Sequence, residues 1–144
     1  MEYVAYLNPI ELLVHKMIVR RRELLKMDSS VDGMTSLVFF DARRREMTIC
    51  TSRIKATESS EQDQMINQTL MHESVHLAQA CKDGTGYLAP FGLKRSTMIL
   101  AASRQAGLRK VVAFDSRLAL IDHEAFYMED KPEKVQYVVR KYCF

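Results

Sequence analysis

Residues 69 to 81, Thr69-Leu70-Met71-His72-Glu73-Ser74-Val75-His76-Leu77-Ala78-Gln79-Ala80-Cys81, decide the fold. Ile66, Leu70, Ser74, Leu77 and Cys81 recur as one stripe at helical spacing, with Met71, Val75 and Ala78 beside it. Met65, Gln68, His72, His76 and Gln79 run along the other side. The pattern predicts a helix with an anchored apolar back and a polar side facing a cleft. Two histidines four apart lie one above the other on a helix, so both imidazoles can reach one metal ion. Glu73 is roughly 100° further round, close enough to act on a water at that ion without being a ligand.

His-Glu-x-x-His on a helix is the zinc-hydrolase pattern. Its flanks here, Thr69, Leu70, Ser74, Val75, Leu77 and Ala78, resemble the longer signature of the zincin metallopeptidases: Thr or Val three residues before the first histidine, uncharged residues around the pair, and an apolar residue two after the second. The resemblance is dense over 69–78, and the bland reading of the same residues is an amphipathic core helix with two surface histidines.

A catalytic zinc takes three protein ligands and keeps one position open. The metzincin solution fails, because Gln79 and Lys82 stand where its Gly and third His belong. The aspzincin motif is only echoed in Gly84-Thr85-Gly86, since Tyr87 occupies the position of its aspartate. What remains is the gluzincin solution, a glutamate from a later helix. Glu124-Ala125, forty-eight residues after His76 and followed by Phe126 and Tyr127, resembles the Glu-Ala motif of small gluzincin-like proteins. The resemblance implies Zn²⁺ held by His72, His76 and Glu124, with Ala125 letting two helices approach closely. Asp122, His123 and Glu129 are the other candidates for ligand or supporting partner, because Met128 stands where the family's orienting aspartate would be. Asp122 and Glu124 are roughly 200° apart on a helix, so they cannot both face one ion.

The reaction so implied is peptide-bond hydrolysis of a peptide or protein substrate, with Glu73 as general base. His123, Tyr127 and Tyr87 are candidates to meet the oxyanion. The chain is similar to minimal single-domain zincins, of the size found among small phage and bacterial proteins. An alternative is a non-catalytic protein in which zinc ties two helices together or supports partner binding.

The remaining features bound these readings. At 144 residues and 47% hydrophobic, one domain over 1–144 with a single core is expected. No run is long enough to span a membrane, and the amino terminus lacks a signal-peptide pattern, so an intracellular protein is expected. Cys50, Cys81 and Cys143 are odd in number and widely spaced, which predicts reduced thiols. Net charge is only +3, and neither Arg20-Arg21-Arg22 nor Arg43-Arg44-Arg45 is interleaved with aromatics, so a nucleic-acid partner is disfavoured.

The fold class expected is α+β, helix-rich, with a small antiparallel sheet before the metal helix. Asn8 and Pro9 open a predicted helix over 9–27, carrying His15. Residues 28–34 read as a connection. Residues 36–40 and 46–51 read as a hairpin about the polar turn 41–45, with 46–53 the expected edge strand along the cleft. Ser59 or Ser60 is the expected cap of the metal helix, Gly84 its stop, and 87–94 a loop. A helix over 95–106 ended by Gly107, a mostly buried helix over 110–130, and a last amphipathic helix from Pro132 complete the expectation.

Overall fold

The computed structural model describes residues 14, 24–27, 38–44, 46–49 and 59–144. Three strands, β1 (Leu24–Met27), β2 (Val38–Asp41) and β3 (Glu46–Ile49), precede four α-helices: α1 (Ser59–Asp83), α2 (Ala102–Phe114), α3 (Ala119–Met128) and α4 (Pro132–Cys143). Short 3-10 turns at Arg95–Thr97 and Ser116–Leu118 lead into α2 and α3. The architecture is α+β and helix-rich, as the pattern of elements predicts.

β2 and β3 form the expected antiparallel hairpin, in register Phe39 with Thr48 and Phe40 with Met47. Asp41 shapes its turn by accepting the backbone N–H groups of Arg43 (2.9 Å) and Arg44 (3.1 Å), the local bonding that favours Asp at a turn. The sheet order is β1-β3-β2, with β1 parallel to β3. Two expectations are corrected by this. Leu24 and Leu25 belong to a strand and not to the end of a helix, because pairing with β3 overrides the helical spacing of an apolar pair that fits either period. β3 is the central strand, so the edge packed against α1 is β2, while 50–53 lie outside the described residues. Val14 is helical and fully buried; His15, the connection 28–34 and Arg20 to Arg22 lie outside the described residues.

α1 is the spine. Ile66, Leu70, Met71, Val75, Leu77 and Ala78 are buried with Val135, Val138 and Val139 of α4, Ala125 and Met128 of α3, and Met47 of β3. Ser74 lies within this stripe without cost because its hydroxyl donates to the Leu70 carbonyl at 2.7 Å. Ser59 and Ser60 are already helical, so the helix starts earlier than a cap at either would allow. Its exit is as expected: Gly84 takes φ +77° and its N–H returns to the Ala80 carbonyl at 2.9 Å.

The later helices divide differently from the sequence pattern. Residues 95–97 form a 3-10 turn, and α2 then runs through Gly107 to Phe114. Gly107 is a contact point and not a stop, since a Cβ there would sit 2.9 Å from the Phe126 ring of α3. The segment 110–130 is broken at Asp115, whose carboxylate accepts the Arg117 N–H at 3.0 Å and opens the turn into α3. Pro132 does begin α4, whose buried residues are Val135, Val138, Val139 and Cys143.

The expectation of reduced thiols is corrected as well. Cys81 and Cys143, 62 residues apart, form a disulfide joining the ends of α1 and α4, a proximity created by packing that no local spacing announces. Cys50 lies outside the described residues. Closing a loop of that length removes on the order of 4 kcal/mol of unfolded-state entropy, and measured effects run about 2–4 kcal/mol. Cys143→Ser is therefore expected to lower unfolding free energy by about 2–4 kcal/mol in denaturant titration, and dithiothreitol to reproduce the loss in the parent chain but not in the variant.

A candidate metal centre between two helices

His72 and His76 project from successive turns of α1 towards α3. Their Nε2 atoms each lie 3.5 Å from Asp122 Oδ1. One ligand atom from each of the three residues lies within 4.8 Å of the others. Tetrahedral bonds of roughly 2.0–2.1 Å place neighbouring donors roughly 3.3 Å apart, so the two nitrogen–oxygen separations suit one zinc-sized ion.

Both rings are fixed from behind. The Nδ1–H of His72 donates to Glu129 Oε2 at 2.8 Å, and Glu129 Oε1 in turn accepts from Arg104 Nε at 2.8 Å. The Nδ1–H of His76 donates to Gln79 Oε1 at 2.8 Å. Gln79 is oriented by its amide group, which donates to the Ile121 carbonyl and to Glu124 Oε1, each at 3.0 Å. With both Nδ1 atoms acting as donors, both Nε2 lone pairs face Asp122. Such backing by carboxylate or carbonyl is what sets the tautomer of a metal-binding histidine. Phe126 closes one side, its ring edge-on to His72 with centroids 4.7 Å apart.

Electrostatics agree with a cation position. Burial pushes His72 down, but its hydrogen bonds to the Asp122 and Glu129 carboxylates outweigh it and raise the imidazole to about 10. Burial pushes Asp122 up, but the adjacent His72 and His76 imidazoles prevail and hold it well below 3.8. Without a metal, a proton on His72 therefore supplies the positive charge that the cluster requires. Glu73 stands next to the group. Burial raises its carboxyl above the ordinary 4.5 and Asp122 adds to the rise, against His76, His72 and the N–H of Phe40 on β2.

Glu124 is not a member of this centre. Its carboxylate is fully buried and accepts Phe91 N–H at 2.9 and 3.0 Å, Leu93 N–H at 3.3 Å and the Gln79 amide. A buried carboxylate without partners would cost several kcal/mol, and here it has found them in a loop. The carboxylate grouped with the two histidines is thus Asp122 and not the expected Glu124; the angular rule that only one of the pair can face them holds. His123 is also turned away, its Nε2 donating to the Met98 carbonyl at 2.8 Å. Tyr127 is elsewhere too, with Lys131 Nζ 4.2 Å above its ring. Tyr87 lines a groove of about 670 Å³ whose walls include Phe40, which meets Glu73, and Ile121, which precedes Asp122.

Gln79 and Arg104 were not anticipated as supports. The first was legible, being three residues after His76 and on its helix face. Glu129 falls two turns after Asp122, a spacing that would have paired them on one face of α3. Arg104 comes from a separate helix, and no spacing signals it.

A family model matches residues 3–144: a domain of unknown function, DUF8637. The chain belongs to the DUF8637 family. No curated protein and no solved structure matches the chain. Among the described residues of this DUF8637 domain no helix is long and apolar enough to cross a membrane.

Two outcomes follow from the geometry. His72 is raised in the folded chain, so its contribution to stability is complete below 6.5 and is lost as pH rises towards about 10. Asp122 is lowered, so its contribution is complete above 3.8 and is lost on acidification. Metal-free protein, prepared with a chelator, is therefore expected to be most stable between those limits when denaturant midpoints are compared across pH; a midpoint that climbs from neutral pH to pH 10 would contradict it. In Gly107→Ala the new methyl displaces Phe126 from His72. A loss of about 1–3 kcal/mol in stability is expected, the usual cost of overpacking, together with weaker metal retention under chelator competition.

Proposed function

We propose that this DUF8637 domain is a metal-dependent hydrolase acting on peptide bonds, with His72, His76 and Asp122 as ligands and Glu73 as general base. The observation that carries the reading is the convergence of two backed imidazole nitrogens on one carboxylate, with a second, proton-avid carboxylate beside them. A nitrogen, nitrogen, oxygen donor set suits Zn²⁺, which when bound would polarise a carbonyl and acidify water.

The chain's own groups supply the rest. Glu73 takes a proton from the attacking water and passes it to the leaving amine, and its burial raises its affinity for that proton. The Phe40 N–H holds the Glu73 carboxylate against the β2 edge. Support for a peptide substrate comes from the zincin resemblance and from this placement, because β2 is an edge strand and Phe40 also lines the open groove. Of the three oxyanion candidates, Tyr87, about two-thirds exposed, is the one that lines that groove.

Elemental mass spectrometry of purified protein tests the site. About one zinc per chain is expected, retained in Glu124→Gln and lost in His76→Ala and Asp122→Ala. Hydrolysis of a broad peptide library should fall by roughly a hundredfold or more in Glu73→Gln at unchanged zinc content. Zinc lost in Glu124→Gln but kept in Asp122→Ala would overturn the ligand assignment. Full zinc without hydrolysis would leave a metal that only ties α1 to α3.

A further inference from the structure

A second groove, of about 400 Å³, lies between the 91–98 segment, the end of α3 and α4. It shares no lining residue with the metal centre. Phe91, Leu93, Tyr127 and Tyr137 give it an apolar wall, and Lys134 and Lys141 stand at it with no carboxylate among the lining residues. Its volume falls in the range of roughly 300–1,000 Å³ typical of ligand sites. Leu93 and Tyr137 remain 37% and 64% exposed.

Charge and ring geometry narrow the occupant. Lys131 is already paired with Asp130 at 2.8 Å. Lys134 and Lys141 have no carboxylate partner among the described residues; they lie only over tyrosine rings, Lys134 at 5.9 Å from Tyr127 and Lys141 at 5.2 Å from Tyr142. Phe91 is itself stacked on Tyr142, with centroids 5.3 Å apart and planes 13° from parallel. That stack takes up one face each of Phe91 and Tyr142. What the groove offers is an apolar aromatic wall together with two cations that have no carboxylate partner among the described residues. Carboxylates beside an apolar side chain match what is present.

The wall is also preformed. Phe91 and Leu93 N–H groups are tied to the buried Glu124 carboxylate, so a ligand meets a fixed surface and little ordering is left to be done on binding. We propose that this groove is a docking site for an acidic and apolar peptide segment, its apolar side chain against Phe91 and Leu93 and its carboxylates at Lys134 and Lys141.

Fluorescence anisotropy tests it with a dye-labelled peptide Glu-Leu-Phe-Glu, blocked at both ends, its counterpart with Gln in place of Glu, and a single-stranded oligothymidylate. The acidic peptide is expected to bind about tenfold more tightly than the Gln peptide, two exposed charge pairs being worth about that much. Lys134→Glu with Lys141→Glu should remove the difference, and Tyr137→Ala should weaken both peptides. The far-UV circular dichroism spectrum and the denaturant midpoint should stay unchanged in all variants, which checks the fold and separates this result from the fate of the hydrolase reading. Equal affinity for both peptides, binding to neither, or undiminished acidic binding in the double lysine variant would overturn the proposal. So would tighter binding of the oligothymidylate, lost in that variant, since it would give the groove to nucleic acid.

Discussion

Two imidazole lone pairs and a carboxylate oxygen directed at one point require a positive charge there, and much of the arrangement around α1 serves to keep them so directed. A proton on His72 meets the requirement in metal-free protein, and a divalent ion held by the three residues would meet it more fully. The constraint lies less in the three donors than in what stands behind them. Glu129 holds one ring and Gln79 the other, so neither imidazole can rotate its Nε2 away without giving up a buried hydrogen bond. Arg104 extends the first support to α2, and Glu124 extends the second to the 91–93 segment.

The same helix that carries the two histidines is the spine of the core. Its back packs on α4 and its histidine side on α3, so the histidine positions are tied to the least deformable part of the fold. The cysteine bond fixes the far end of that pair. Gly107 allows α2 close enough for Phe126 to rest on His72, which makes helix spacing in the C-terminal half a condition for ring placement. Glu73, by contrast, is held by the sheet, through the backbone of β2.

Asp122 and Glu124 show how two carboxylates in one helix come to different tasks. They point to opposite sides of α3, so one meets the histidines and the other a loop whose backbone N–H groups need an acceptor. Each is satisfied only where it stands. A buried ionised carboxylate demands several donors, and a donor-rich loop turn supplies Glu124 as fully as the imidazoles supply Asp122.

The sequence by itself determined the helix of His72 and His76, its apolar stripe, the placing of both histidines on one face with Glu73 beside them, the hairpin and the proline-started last helix, because each depends on residues a turn or a strand step apart. It also determined that only one of Asp122 and Glu124 could face an ion. Which one was decided by the rotation of α3 about its axis, set by how Ile121, Ala125 and Met128 pack and by where residues 91–93 place their N–H groups. The pairing of β1 with β3, the joining of Cys81 to Cys143 and the support from Arg104 were likewise tertiary outcomes. Each joins residues about twenty or more positions apart, and local spacing carries no record of which distant segments a chain will bring together.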